Sequence, residues 1–341
     1  MPNVFSVFVT GGFQCPDGGS QQDIARRSDV QVTVSPFAGG ENVSVPRASA
    51  SDDGIHVFVE GRPYRLGEAD AAGRVIREYR SAGRRCIESM PGDFAVAIVD
   101  TQRRRVLLAV DRMGVRQMFF ARGAGGEIVL GPRGAAVAGH PLIRAGVRRQ
   151  AIFDYMYFHM VPAPETVFDG VTKLRAAHVA ELDAGSTSLQ RYWDPVFHDD
   201  AATTADELAA EVRDVLRDSV ARCRPDAHTG AFLSGGLDSS SVVGMLAAVS
   251  GERPRTFSIG FDAEGYDETR YARIAARRFD ADAHEMSLTA QHIVEAVPLL
   301  AAAYDEPFGN SSAVPVYFCA RLAASAGMSR LLAGDGGDEI F

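Results

Sequence analysis

One stretch of this sequence, residues 230–241, constrains the fold more than any other. It reads GAFLSGGLDSSS, a short apolar run and then a turn rich in Ser and Gly, and apolar residues at helical spacing follow at Val242, Val243 and Leu246. This pattern predicts a strand, a tight loop and the start of a helix. Where such units alternate along a chain, they form a sheet of parallel strands with helices on its faces.

The loop between this strand and helix is predicted to bind an anion. Gly235 and Gly236 have no Cβ, so their backbone N–H groups can close around a bound group. The N-terminus of the helix adds free N–H groups and the positive end of its dipole. Asp238 would repel a phosphate at this place unless Mg²⁺ lay between them. No Lys follows the glycines, which excludes the GxxxxGK[ST] loop, and an ordinary Gly/Ser turn is the simpler alternative.

The length, charge and cysteine content of the chain limit its class of function. With 341 residues it can hold two domains, each with its own core. Its formal net charge of −9 argues against a nucleic-acid partner, and no apolar run approaches the roughly 18 residues of a membrane span. The cysteines show neither CxxC pairing nor zinc spacing, so we expect a reduced, cytoplasmic protein without a membrane partner.

The first 145 residues are predicted to form a mostly β domain with a few helices. Apolar alternation predicts strands at Val4–Val9, Val30–Val34, Ile55–Glu60, Gly92–Asp100, Arg105–Val110, Phe119–Phe120 and Glu127–Leu130. A turn is expected at 61–63 and a helix around 75–79. Residues 146–200, with several prolines and the single Trp193, are interpreted as a connection between two domains.

The remaining residues, 201–341, are predicted to form the second domain. Thr204 and Glu207 have the spacing of a capping box, which predicts the start of a helix. Strands and helices then alternate, with strands expected at 230–233, 256–261 and 330–333, and helices after the Ser/Gly loop and near 267–279, 290–303 and 313–326. This alternation predicts a parallel sheet that is covered on both faces.

Several longer stretches appear in the order in which they occur in one family. In the first half these are GDFAVAIVDTQRRRVLLAVDRMGVRQMFF, YFHMVPAPETVFDGVTKLRAAH and RYWDP; in the second half they are SGGLDSS, TFSIGF, YDE, DEPFGNSSAVP and GDGGDE. On these motifs the chain resembles the asparagine synthetase family, and SGGLDSS resembles the loop of the PP-loop ATP pyrophosphatases. The resemblance implies an α/β protein, in which an N-terminal glutaminase-like (Ntn) α+β sandwich domain precedes a PP-loop ATP pyrophosphatase domain with a parallel sheet.

The resemblance also implies a reaction and the residues that perform it. Members of the family use ATP and Mg²⁺ to adenylate a carboxylate such as aspartate, after which an amine attacks and an amide forms. Asp238 and Asp338 would bind Mg²⁺. Leu233 and Ile259 would lie beside the adenine, and Asp335 is a candidate for handling a proton. The nucleotide and its pyrophosphate would contact the remaining loop residues, which are Ser234, Gly235, Gly236, Leu237, Ser239, Ser240 and Gly334.

Each of these assignments has a structural alternative. An Asp/Gly turn such as 334–338 can bind its own backbone and carry no chemistry. Leu233 and Ile259 are also ordinary core residues of a strand. Asp305 and Glu306, in the DEP motif, could line a substrate pocket or could end a helix in solvent.

The sequence departs from the family pattern in two ways. Glutamine-dependent members begin Met-Cys-Gly, whereas Pro2 and Asn3 stand here, and Cys15 lies beyond the first predicted strand. The region of the family's Asn-Gly-Glu reads Phe-Val-Glu-Gly at 58–61. We therefore expect the glutaminase fold to be inactive. Family members also continue beyond the GDGGDE motif through a helical stretch that supplies a catalytic Lys, so we expect an incomplete synthetase domain and leave open the activity of these residues alone.

Several functions remain open at this point. The leading one is an amide ligase of asparagine synthetase type, acting on a small-molecule or peptide carboxylate with ammonia as the amine. A second is a natural-product cyclase that uses an amine within its own substrate, as the family's β-lactam synthetases and lasso-peptide cyclases do. A PP-loop enzyme acting on tRNA is disfavoured by the acidic charge. A non-catalytic regulatory remnant is the alternative of another class, and a homodimer is an open assembly.

Overall fold

The computed structural model describes residues 5–9, 22–27, 30–34, 47–64, 70–198, 203–262 and 269–340. The chain forms two compact units, and each is described by itself below. Unit 1 comprises Met1–Val196 with Ala302–Gly309, and unit 2 comprises Phe197–Ala301 with Asn310–Phe341. The structure thus places the end of the first unit at Val196, whereas the sequence analysis expected residue 145.

Unit 1 is built mainly from strands. Its described strands are β1 (Phe5–Val9), β2 (Gln22–Arg27), β3 (Val30–Val34), β4 (Arg47–Asp52), β5 (Ile55–Pro63), β6 (Gly92–Asp100), β7 (Arg105–Val110), β8 (Phe119–Arg122), β9 (Ile128–Gly131), β10 (Val171–Lys173), β11 (His178–Leu182) and β12 (Thr187–Arg191). Its described α-helices are α1 (Ala71–Ala82), α2 (Gly134–Ala138) and α3 (Arg149–Phe158).

The described strands of unit 1 form two sheets, in the orders β10-β8-β9-β1-β3-β2 and β12-β11-β7-β6-β5-β4. In β6 the alternation of a strand decides which face each residue covers. Ala95 and Ala97 pack between the sheets with Val7 and Val32, whereas Val96 packs against α1 on the other side. Since α2 covers the outer face of the sheet that contains β8 and β9, the layers are α/β/β/α. This confirms the expected α+β sandwich.

The structure corrects two expectations for unit 1. The turn predicted at 61–63 is wrong, because β5 continues through these residues and pairs them with 92–94 of β6. Gly61 permits this with a φ of +101° and a close approach, since a Cβ there would lie 2.3 Å from the carbonyl O of Asp93. Residues 146–200 also contain more structure than a connection, because β11 joins β7 and pairs with β12. These strands are short and β12 is exposed throughout, so they lack an alternating apolar signal.

Unit 2 alternates strands and helices as predicted. Its described elements are α4 (Ala205–Arg222), β13 (Thr229–Phe232), α5 (Leu237–Ser250), β14 (Arg255–Phe261), α6 (Thr269–Arg278), β15 (Asp282–Leu288), α7 (Ala290–Ala303), α8 (Ala313–Ser325), β16 (Arg330–Leu332) and α9 (Gly337–Ile340). The strand β15 was not expected from the sequence, because its residues up to Ser287 are all partly or fully exposed. The capping box before α4 is confirmed: the backbone N of Glu207 donates to Thr204 Oγ1, and the Thr204 backbone N donates to the Glu207 carboxylate.

The described strands of unit 2 are parallel and lie in the order β15-β14-β13-β16. One face is covered by α5 and α6, where Val243 and Ala272 pack on Ala231. The other face is covered by α7 and α8, where Cys319 packs on Phe257. A parallel sheet covered on both faces is therefore confirmed. Across the described ranges, no helix combines the length and the apolar character that crossing a bilayer would require.

Candidate functional site

Two loops meet at the carboxyl-terminal edge of the unit 2 sheet. They follow β13 and β16, which pair directly and in parallel, so both loops leave the same edge. A Cβ on Gly334 would lie 2.8 Å from the Cβ of Asp238, and one on Gly337 would lie 2.5 Å from its Oδ2. The Asp238 carboxylate therefore lies against the backbone of the second loop, beside Asp338. Asp238 and Asp338 lie far apart in the sequence, and the structure places the loop that carries Asp338 against Asp238.

The first loop is held by a network of Ser side chains. Ser239 Oγ accepts a hydrogen bond from the backbone N of Ser234 at 3.3 Å and lies 3.0 Å from Ser234 Oγ. Ser234 Oγ in turn accepts from the backbone N of Gly236 at 3.3 Å. Gly236 is the N-cap of α5, and no side chain caps that helix. The N-terminal N–H groups of α5 are therefore not used by a capping side chain, and the positive end of the helix dipole lies at this loop.

Backbone geometry at Gly235 fixes how the loop approaches α6. Its φ is +91°, and a Cβ at this position would lie 2.4 Å from the backbone N of Ala272 and from the backbone C of Tyr271. Both atoms belong to the helix backbone, so they cannot move aside as the end of a side chain could. Only glycine fits here, whereas the sequence points to Gly235 through its backbone N–H alone.

A cavity of about 290 Å³ opens beside the loop. Leu233, Ser234 and Ile259 line it, together with α8 residues that include Pro315 and Cys319. Leu233 is 2% exposed and packs in the core as well as lining this cavity, and its place beside an adenine stays a prediction. The contribution of α8 was not expected from the sequence, although the first turn of this helix lies in the NSSAVP part of a motif that carries the family resemblance.

The other predicted residues differ in their exposure. Asp335 lies in the loop after β16 with an exposed side chain, and its proposed role in handling a proton stays a prediction. Leu237 is 83% exposed, so its backbone N–H is the group that it can offer to a ligand. Ser240 is half-buried in the first turn of α5, where its backbone N donates to the carbonyl O of Gly236 at 3.1 Å.

The residues of the two loops fit a bound Mg²⁺. Asp238 and Asp338 would supply carboxylate oxygens, which are the ligands that this ion prefers, and phosphate oxygens of a nucleotide normally complete its coordination. At Gly337 a Cβ would fill the space against the Asp238 carboxylate, so the absence of a side chain there leaves that carboxylate reachable.

The DEP motif does not end a helix in solvent, which was one of the two roles considered from the sequence. Asp305 Oδ1 lies 2.8 Å from Nη2 of Arg133, and Glu306 Oε2 lies 2.6 Å from Nζ of Lys173. The second carboxylate oxygen of Glu306 accepts from the backbone N of Val167 at 3.1 Å. The carboxylates are only 10% and 11% exposed. They do not end a helix in solvent, and they do not line the cavity described above.

Unit 1 contains one cysteine within the described residues, Cys86. It is 2% exposed and packs in the core beneath α1. Burial raises the pKa of its thiol to about 12, with a smaller contribution from the negative charge of Glu78. The predictions for Pro2, Asn3 and Cys15, and the YDE motif at 266–268, fall outside the described residues.

Comparison with known proteins gives two matches to family models. Asparagine synthase matches residues 211–341, and the glutamine amidotransferase domain matches residues 66–193. A putative glutamine-hydrolysing asparagine synthetase of Mycobacterium tuberculosis is 33% identical over 282 residues, which are 81% of this chain and 42% of that protein. A second putative enzyme of this name, from Methanocaldococcus jannaschii, is 30% identical over 278 residues, 78% of this chain and 52% of that protein.

More distant relatives agree with these. Asparagine synthetase 1 of Bacillus subtilis is 26% identical over 285 residues, 83% of this chain and 44% of that protein. The chain spans about half the length of the curated relatives it matches. Among solved structures, the glutamine phosphoribosylpyrophosphate amidotransferase of B. subtilis has a TM-score of 0.28 at 12% identity, over 76% of this chain and 68% of that one, a likeness too slight for a conclusion about the fold.

Proposed function

Because the chain belongs to the asparagine synthetase family, we propose that it is a ligase that uses ATP to activate a carboxylate as an acyl-adenylate, releases pyrophosphate and then forms an amide. The single observation that carries the proposal is the contact between Asp238 and the loop of Gly334 and Gly337. It joins the two halves of a nucleotide site at the edge of the sheet where ligands of open α/β folds bind.

The cavity and the loop before α5 are proposed to bind different parts of the nucleotide. The adenine would occupy the cavity between Leu233 and Ile259, and the phosphates would lie over the N-terminus of α5. Negative charge develops on the leaving pyrophosphate, so the loop N–H groups and the helix dipole stabilise the transition state more than the ground state. Bound Mg²⁺ would neutralise part of that charge, held by Asp238 and Asp338.

The amine is proposed to be ammonia or a group within the substrate, rather than ammonia from glutamine. Glutamine hydrolysis of this family's kind needs an activated cysteine nucleophile. In the described part of unit 1 the cysteine is Cys86, and its buried thiol stays protonated at neutral pH. Free thiols at Cys86, Cys223 and Cys319 also agree with a reducing compartment such as the cytoplasm.

We expect Cys86 to resist alkylation by iodoacetamide at pH 8 in the folded protein. A pKa near 12, against an ordinary value of 9.0, lowers the thiolate fraction by about 10³-fold. Because folding raises the pKa of the Cys86 thiol, its contribution to the free energy of unfolding is complete below the ordinary pKa of 9.0. That contribution is lost as the pH rises from 9.0 toward 12. Peptide mass spectrometry measures the labelling, with half-buried Cys223 as internal reference and the urea-unfolded chain as control. Rapid native labelling of Cys86 that glutamine blocks would instead identify a working glutaminase.

ATP–pyrophosphate exchange tests the proposed ligase directly. The full chain is incubated with Mg²⁺, ATP and labelled pyrophosphate, and with aspartate or peptides that carry both a carboxylate and an internal amine. Exchange that depends on one carboxylate is the expected result, and the carboxylate that supports it identifies the substrate class. Intact ATP in the presence of every carboxylate tested would overturn the ligase and favour the non-catalytic alternative.

A further inference from the structure

The segment Ala302–Gly309 has an unusual place in the chain. Its neighbours along the sequence, Ala301 and Asn310, belong to unit 2, but its own contacts make it part of unit 1. It carries the DEP motif, whose two carboxylates are nearly buried. Long charged side chains are rarely placed at such burial unless they are paired, because an unpaired buried charge is costly.

Four contacts hold this segment within unit 1. Arg133 grips Asp305 through both Nε and Nη2, at 2.9 and 2.8 Å. The ammonium group of Lys173, whose side chain is 10% exposed, forms an ion pair with Glu306. It also donates a hydrogen bond to the carbonyl O of Val161 at 2.9 Å. Glu306 uses its other oxygen for a backbone N–H, and Gly309 donates its backbone N–H to the carbonyl O of His159 at 2.9 Å.

Gly309 is also tied to His159 by close packing. A Cβ on Gly309 would lie 2.8 Å from the His159 Cβ and 3.1 Å from its carbonyl O. The segment is therefore anchored at two carboxylates and again at its last residue. From that anchored point the chain continues directly into Ser312, the N-cap of α8, which lines the nucleotide cavity together with Pro315, Val316 and Cys319.

We propose that Arg133 and Lys173 are positioning residues for the ligase reaction: by holding Asp305 and Glu306 they fix the start of α8 and so the wall of the nucleotide cavity. This inference rests on the proposed function for the identity of the ligand. It gives unit 1 a role in ATP binding that requires no glutamine hydrolysis. Neither residue touches the nucleotide; each acts through the segment that it anchors.

The test uses the full chain with Lys173→Met and Arg133→Met, and with Arg116→Met as the matched control. Arg116 forms a half-buried ion pair with Asp93 in unit 1, at 2.7 Å; it lies in the loop between β7 and β8, and neither residue belongs to the segment 302–309 or lines the cavity. The first readout is hydrogen exchange of the backbone amides of α8. It needs neither ATP nor activity, so it stands even where the proposed ligase fails.

We expect faster exchange in the first turns of α8 for the Lys173 and Arg133 variants, and wild-type exchange there for the Arg116 variant. The dissociation constant for Mg·ATP, measured by calorimetry at a temperature where circular dichroism shows all variants folded, should rise about tenfold, because displacement of a binding wall by about 1 Å has large effects on a ligand. KM for ATP should rise with it, while kcat changes less.

A double-mutant cycle with Glu306→Gln separates positioning from general stability. Glutamine keeps the acceptor for the Val167 N–H and removes the charge, so the Lys173→Met/Glu306→Gln variant should bind Mg·ATP no more weakly than Lys173→Met alone. Unchanged α8 exchange and unchanged Mg·ATP affinity in both single cation variants would overturn the inference and leave the ligase untouched. Conversely, wild-type protein that binds Mg·ATP but shows no pyrophosphate exchange would overturn the proposed ligase activity and leave the inference about Arg133 and Lys173 standing.

Discussion

Replacing Asp238 by Asn should abolish ATP–pyrophosphate exchange while leaving the fold intact. Asn is isosteric, but it removes the negative charge that lies against the second loop at Gly337. On the proposed assignment, Mg²⁺ would then lose a ligand, and the charge that develops on pyrophosphate would lose its partner. We expect the exchange rate to fall by at least about 100-fold, the range seen when one preorganised group at a developing charge is removed.

The matched control for this variant is Asp280→Asn. Asp280 is 89% exposed and follows α6, before the start of β15, at the opposite edge of the sheet from the two loops. Its φ of +48° is also one that Asn accepts readily. Thermal unfolding of both variants should match the wild-type protein. Exchange that survives Asp238→Asn, with Mg²⁺ dependence unchanged, would show that this carboxylate does not serve the metal.

The core of unit 2 and its loops could be predicted because their signals are local. The strand before Ser234 is apolar, the loop has the Ser and Gly that a tight turn needs, and Val243 and Leu246 follow at helical spacing. Parallel pairing of β13 with β16 could not be deduced from the local pattern alone, and the meeting of their two loops was implied by the family resemblance rather than by the strands.

Features that depend on distant partners could not be predicted in the same way. Asp305 and Glu306 look like an exposed helix end until Arg133 and Lys173 are seen beside them, more than 100 positions earlier in the chain. The strand β12 is exposed along its whole length, so only its pairing with β11 defines it. In both cases the structure depends on contacts between residues far apart in the sequence, and these contacts cannot be inferred from neighbouring residues alone.

Gly235→Ala should destabilise unit 2 strongly although it leaves every charge in place. The new Cβ would meet the backbone of Tyr271 and Ala272 at 2.4 Å, and the φ of +91° is strained for any residue with a Cβ. Backbone strain costs about 1–3 kcal/mol and overpacking about 1–3 kcal/mol, so we expect the free energy of unfolding to fall by about 2–6 kcal/mol.

The control for this change is Gly251→Ala, at the other end of the helix that Gly235 precedes. Gly251 has a φ of +66°, but nothing lies within 4 Å of its Cβ position, so it should cost only the backbone term of about 1–2 kcal/mol. Denaturant unfolding gives both values, and pyrophosphate exchange should fall about 10²-fold only for Gly235→Ala, because a shifted loop misplaces the phosphates. Equal losses of stability in the two variants, with exchange retained, would mean that the loop can retreat from α6 and that its close packing is not what shapes the anion site.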